Sequence, residues 1–502
     1  MSAIKVWTHN PEKVEAAILA GEEQEEDLTK YGANEFAVDF LKQSGLWGPL
    51  LVKPDRGKEN GKDWKKIAGI AILLELLHVG HLAKAEKVIK DTKLMVELGF
   101  TLEEVATARG RGKGVLHRDT VRNYFKAIPQ EESIKEFYEY VNLLRRKRWN
   151  RGKVYVADGF ELEVCGKTYE GVGKVYDDKA GKWKYGYKVV ILMNVEKERE
   201  RIMGVAIGPI NSDERKLLAE IFEDLGKHVD KIKNIMDVIV LDRGYWGYDF
   251  MQETIVKKYG IDYVLIAKKS FMFVKEDLRH MIDSKQIKFQ ERRLYNPSKK
   301  EHEDVKVGYV NDLYHGYVSK AQPYQGMVNV VVLLKTIKEG KGKKQKEIFY
   351  VTNKRITGDP LKIVKLYASR WSVENQGIRD LSQRWLIRIP AGRTLNAVTA
   401  RICLILKLYN AMKIMEMKHG QEWQKNKEEI KAWGERSFIG GQGIIVYANG
   451  YFATFSSRQY KILIETRTRR ITEERLKASY LKNLERLLPK EQFEVVQQKL
   501  TC

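Results

Sequence analysis

The sequence predicts an α/β protein: a mixed sheet covered by helices, with a helical region in front of it and a β-rich insertion within it. Three features carry that reading. Residues 1–148 place apolar residues at helical spacing; residues 154–269 alternate short apolar runs with capped amphipathic stretches; residues 270–350 switch to alternating strands broken by turns. At 502 residues the chain can hold several domains with filled cores.

The N-terminal region reads as almost wholly helical. "AGIAILLELLHVGHLAKAEKVIKDTKLMVELGF" repeats its apolar residues at helical spacing and ends near Gly99. Thr101 with Glu104 forms a capping box for the next, short helix. After a Gly/Arg-rich connection, a second helix runs from about His117 to Ile128 and stops at Pro129. Segment 101–128 is thus helix-turn-helix-like, with Arg118, Arg122 and Lys126 on the member that would enter a DNA groove. Any helical hairpin gives the same pattern, and the sequence leaves the two readings level. "GRGKGV" has neither the spacing nor the preceding strand of a phosphate-binding loop. A basic run, "LLRRKRWNRGK", follows; it is a linker or a DNA-backbone contact, with Arg145 inside it.

Strands then take over. "VYVAD" (154–158), "YGYKVVILMNV" (185–195) and "RIMGVAIGPI" (201–210) precede a helix capped from Asn211 to Glu214. "VIVLD" (238–242), a helix to about Tyr259 and "DYVLIAKK" (262–269) complete the set. Beyond the insertion, Asp359-Pro360 starts a helix that continues past Trp385. Near the end, "IIVYANGYFATF" is a β-hairpin with an Asn-Gly turn, followed by a charged helical tail. The regions are 1–148, 149–269, 270–350, 351–418 and 419–502.

Lys plus Arg number 90 against 67 Asp plus Glu, a net charge of +23 that favours a polyanionic partner, nucleic acid first. Three scattered cysteines build neither a zinc knuckle nor a disulfide framework, which points to a reduced, intracellular chain. The first residues lack the apolar core of a signal peptide. "AVTARICLILKLYNAMKIMEM" (397–417) is apolar, but Arg401, Lys407 and Asn410 interrupt it, so it reads as a core helix and no membrane partner is expected.

Two strands, "VYVADGF" and "IVLDRGY", run into an aspartate, Asp158 and Asp242. If they are neighbours, both carboxylates leave one sheet edge together, where they repel and take up a proton unless a cation stands between them. Oxygen-only ligands suit Mg²⁺ or Mn²⁺ bound to a phosphate substrate. Alternatively, each aspartate caps the turn after it. In "LYASRWSVENQGIRDLSQRW", Tyr367, Arg370 and Glu374 fall within about 60° of one another on a helix. Glu374 then offers a third acid, or a plain ion-pair partner for Arg370.

The series Asp158, Asp242, Glu374 resembles the DDE triad of an RNase H-like transposase, and Tyr367, Arg370, Glu374 are similar to the Y-R-E-K signature of bacterial and archaeal insertion-sequence transposases of the IS-four type. The resemblance runs from about residue 150 to 415. It implies an RNase H-like core and a DNA transposase that cleaves at terminal inverted repeats and joins the 3′ ends to target DNA. It also implies two Mg²⁺ or Mn²⁺ ions held by the three acids, double-stranded DNA as partner, a homodimer on paired ends, and a cytoplasmic, nucleoid-associated prokaryotic setting. Tyr367 and Arg370 would hold DNA phosphate. The family's lysine falls on Leu381; Arg379, Arg384 or Arg388 could supply the cation, with Arg384 the first choice. Two rival readings share these residues: a structure-specific nuclease on the same sheet, and an inactive DNA-binding descendant.

Overall fold

The computed structural model describes residues 8–29, 34–55, 62–196, 200–247, 249–267, 272–296, 301–318, 323–339, 342–420 and 443–501. It comprises two compact units. One is Met1–Ser44, Glu86–His117 and Gly420–Cys502; the other is Gly45–Ala85 with Arg118–His419.

The first unit joins the two ends of the chain. Its sheet has the order Thr8–His9, Tyr451–Ser456, Gly443–Ala448, Glu25–Thr29. Asn449 and Gly450 both take positive φ, 50° and 83°, as a two-residue hairpin turn requires. The helix Pro11–Ala20 starts where the Asn10 side chain accepts the Lys13 N–H at 3.1 Å, and it buries Val14 and Ile18 against Val446, Ala453 and Phe455. Among its described residues the N-terminal region is therefore mainly helical, with two short strands whose partners lie at the far end of the chain.

The second unit holds ten strands of one mixed sheet among the described residues. Among the described residues, three helices of nine residues or more precede them: α1 (Trp64–Leu76), α2 (Arg118–Lys126) and α3 (Gln130–Arg146). Then come β1 (Val154–Val164), β2 (Gly173–Asp177), β3 (Lys182–Asn194), β4 (Arg201–Pro209), the helix α4 (Glu214–Gly226), β5 (Val238–Leu241) and β6 (Asp262–Ile266). The insertion supplies β7 (Gln290–Asn296), β8 (Glu301–Val318), β9 (Pro323–Glu339) and β10 (Gly342–Thr352). The order is β2-β3-β1-β5-β6-β10-β9-β8-β7, with β4 on the free length of β3. The insertion extends the core sheet, since β10 pairs with β6 at Tyr350↔Ile266 and Thr352↔Val264. Within this sheet, among the described residues, β1–β5 and β5–β6 are the parallel pairs. β5 is buried along its whole length, as a strand covered on both faces must be.

The helical pieces that follow include α5 (Leu361–Ala368), α6 (Arg379–Gln383) and the long α7 (Leu395–Lys418). The polar residues that break the apolar run of α7 are all partnered. Arg401 forms a two-pronged ion pair with Glu75 of α1, at 2.7 and 2.9 Å. Lys407 donates to the Pro49 carbonyl at 2.8 Å; burial pulls its ammonium down to about 8. The Asn410 amide both donates to and accepts from the Ile202 backbone at 2.8 Å, finishing the edge of β4 as a neighbouring strand would. Among the described residues no helix is long and apolar enough to cross a membrane.

Candidate active site

The parallel register runs Val154↔Val238, Tyr155↔Ile239, Val156↔Val240, Ala157↔Leu241. Asp158 and Asp242 occupy the next position on each strand, so the two acids stand side by side where β5 stops. Both are half-buried. β1 itself runs on to Val164, well past the predicted end at Asp158, because its other edge stays paired with β3 as far as Val164↔Tyr185. The Gly159 N–H donates to the Asp158 carboxylate at 2.9 Å. Asp242 does cap a turn, accepting the Gly244 N–H at the head of the short helix Arg243–Tyr245, over a long 3.4 Å.

The Glu374 segment lies on the Asp158 face. Side chains at directly opposed antiparallel positions share a face, so Met193, opposite Val156, marks the face on which Val156 and Asp158 project. A Cβ at Gly377 would stand 2.9 Å from the Met193 sulfur, so glycine lets the helix backbone settle onto this face. Glu374 occupies a π-helical turn, Val373–Ile378, packed against β1. The Glu374 side chain lies outside the described residues; of the three acids, the structure describes the side chains of Asp158 and Asp242. Among the described residues no three His, Cys, Asp or Glu side chains form a metal-holding cluster.

Tyr367 and Arg370 are brought together as predicted. The Arg370 guanidinium sits 5.6 Å from the Tyr367 ring centre, and Tyr350 meets that ring edge-on at 5.4 Å. The helix is not one continuous α-helix past Trp385: it is α5, a short turn, the π-helical turn and α6, ending at Gln383. A π-turn adds a residue to the circuit, so α-helical counting across it fails. Leu381, predicted on the Glu374 face, is fully buried. Leu381→Lys is therefore expected to lower stability by about 2 kcal/mol or more, its ammonium either buried or forced outward, and to restore no DNA contact. A thermal melt of the variant checks this; an unchanged midpoint would show that the site opens to solvent.

Sequence reasoning missed Glu214, Lys188 and Tyr245. Lys188 lies opposite Glu161 and reaches both Glu161 at 3.4 Å and Glu214 at 3.3 Å. Glu214, the first residue of α4, crowds Gly159, where a Cβ would stand 2.7 Å from its carboxylate. Tyr245 is buried beside this edge; burial first, then Glu214, Asp158 and Asp242, raise its phenol well above the usual range. Glu161 and Glu163, two apart on β1, were the available signal for a basic partner such as Lys188.

Arg118, Arg122 and Lys126 lie on α2, packed against α7 and α1. Arg122 is held by Asp119 at 2.5 Å. A Cβ at Gly392 would touch the side chains of Lys126, at 3.8 Å, and Arg122, at 3.9 Å. The Thr101–Glu104 capping box forms, with bonds of 2.9 and 3.0 Å, but its helix, Leu102–Gly110, belongs to the other compact unit. Arg145 donates twice to Asn142, at 3.2 and 3.0 Å. Arg384 lies beside His78, whose imidazole is pulled down to about 3 by burial and by that positive charge.

Residues 149–411, more than half of the chain, match the family described as the transposase DDE domain. The chain belongs to the DDE transposase family. The matched DDE domain spans β1 to most of α7 and so contains Asp158, Asp242 and the Glu374 turn. A solved structure of a piggyBac transposase synaptic complex with hairpin DNA is similar at TM-score 0.37 and 11% identity, over 93% of this chain and 88% of that one. No curated protein sequence matches the chain significantly.

Proposed function

We propose that this DDE transposase, of the IS-four type, binds the terminal inverted repeats of its own element, cleaves there and joins the freed 3′ ends to target DNA. The observation that supports the reading is the consecutive register of Asp158 and Asp242, with the Glu374 turn on the Asp158 face. The donor set suits Mg²⁺ or Mn²⁺: carboxylates alone, with Asp158 and Asp242 half-buried on two adjacent strands and Glu374 on a helical turn. Asp158, Asp242 and Glu374 would hold two such ions, which when bound supply the activated oxygen nucleophile and stabilise the leaving oxygen. The backbone N–H groups of Gly159 and Gly244 orient the aspartates. Tyr367 and Arg370, stacked on each other, would grip a DNA phosphate, the guanidinium offering a two-pronged fork. Arg118, Arg122, Lys126, Arg145 and Arg384 are proposed as further DNA contacts, and a homodimer as the form that holds two ends.

The test uses supercoiled plasmid and short duplexes carrying the inverted repeats that flank the coding region. With Mg²⁺ or Mn²⁺ the protein is expected to cut at the repeats and to join a pre-cleaved end, and with chelator to do neither. Cutting without joining would make it a nuclease. Binding without either reaction would make it an inactive descendant.

A further inference from the structure

The segment between α6 and α7 is pinned at both ends. Leu386 takes a left-handed φ of 51°, and its carbonyl and that of Ile389 accept from Arg401. Further on, Glu170 donates its N–H to the Arg393 carbonyl at 2.9 Å, and its carboxylate accepts the Leu395 N–H at 3.1 Å. Residue 170 lies in the connection that follows β1, so this segment borders the end of the strand that carries Asp158.

Arg388 projects from that pinned segment. Its Nε donates to the Ser382 hydroxyl at 3.0 Å, and its guanidinium carbon stands 5.8 Å from the centre of the Phe160 ring. Phe160 is two residues beyond Asp158 on β1 and so shares its face. Among the described residues no carboxylate forms an ion pair with Arg388, which is exposed. Arg379 is instead tied along its own helix to Gln383, and Arg384 lies by His78. A guanidinium resting over an aromatic ring with one bond from Nε keeps its terminal N–H groups available to an anion.

We propose that Arg388 binds a phosphate of the DNA strand being cut, on the face of β1 that carries Asp158. It supplies the positive charge that buried Leu381 cannot. The assignment rests on the Asp158, Asp242, Glu374 reading, and the experiment separates the two.

Wild type, Arg388→Ala, Arg388→Lys and Asp158→Ala are compared in binding and in Mg²⁺-dependent cutting of a duplex carrying the flanking inverted repeats. A series of duplexes each replaces one phosphate near the cut by a neutral methylphosphonate. Arg388→Ala is expected to melt like wild type, to cut at least ~10-fold more slowly, and to flatten the salt dependence of binding by a slope of about 0.9, one phosphate contact. One methylphosphonate should slow wild type and leave Arg388→Ala no slower; Arg388→Lys should recover part of the slope. Wild-type cutting and slope in Arg388→Ala would overturn the proposal. So would slower cutting with an unchanged slope and an unchanged methylphosphonate pattern, since Arg388 would then only pack on Phe160. If Asp158→Ala cuts normally, the reading of the acids fails, while a flattened slope in Arg388→Ala still reports the phosphate contact.

Discussion

Asp158→Ala, Asp242→Ala and Glu374→Ala are each expected to reduce cleavage at least a thousandfold, about 4 kcal/mol of barrier, while DNA affinity stays within severalfold of wild type. The asymmetry follows from where each free energy is spent. Metal ligands act on charge that develops in the transition state, whereas affinity comes mainly from phosphate contacts by a chain of net charge +23. Alanine at Asp242 also removes the acceptor for the Gly244 N–H, so loss of activity there mixes two effects. Asp242→Asn separates them. Asparagine still caps the turn, a contribution of about 1 kcal/mol at most over such a long bond, but it loses the charge a metal needs. Asp242→Asn is expected to melt like wild type and to be inactive in Mg²⁺-dependent nicking. Wild-type nicking by it would leave Asp242 as a cap alone.

Much of this site was legible in the sequence because it is built from local patterns. "VIVL" reads as a buried strand since every residue of it is apolar, and all four are buried. The neighbouring positions of Asp158 and Asp242 followed once the two strands were assumed to pair, and the register has that pairing. The turn residues Asn449 and Gly450 and the Thr101–Glu104 box are equally local, and both form. What stayed hidden depends on partners remote in sequence. The extension of β1 beyond Asp158 is fixed by β3, and the strands Thr8–His9 and Glu25–Thr29 by a hairpin at the opposite end of the chain. The π-helical turn is invisible to any fixed period, and it is what makes counting from Glu374 to Leu381 fail. Arg388 escaped first choice for the same reason: it lies beyond the helix, where helical angles carry no information.

Arg401→Met is expected to destabilise the protein by about 3–5 kcal/mol. Arg401 and Glu75 expose only 4% and 3% of their side chains, so no water replaces a lost partner. Burial raises the Glu75 carboxyl and the facing Arg401 guanidinium offsets only part of that, so removing Arg401 leaves the burial penalty unopposed. Without Arg401 the carboxyl must take up a proton or remain a buried charge, the Ile389 carbonyl loses its donor, and the Leu386 carbonyl loses one of two, keeping the Ile389 N–H. Replacing both partners, Glu75→Leu with Arg401→Met, should recover much of the loss, since a buried ion pair gains little over well-packed apolar groups. The recovery should stay incomplete because the Ile389 carbonyl is left without its Arg401 donor, while the Leu386 carbonyl keeps only the Ile389 N–H at 3.0 Å. Urea denaturation of the two single variants and the double variant measures this as a coupling free energy, with equal losses that simply add counting against it. The same carbonyls fix the segment that carries Arg388. At temperatures where the double variant is still folded, its cleavage should therefore remain slower than wild type even where its stability has largely returned.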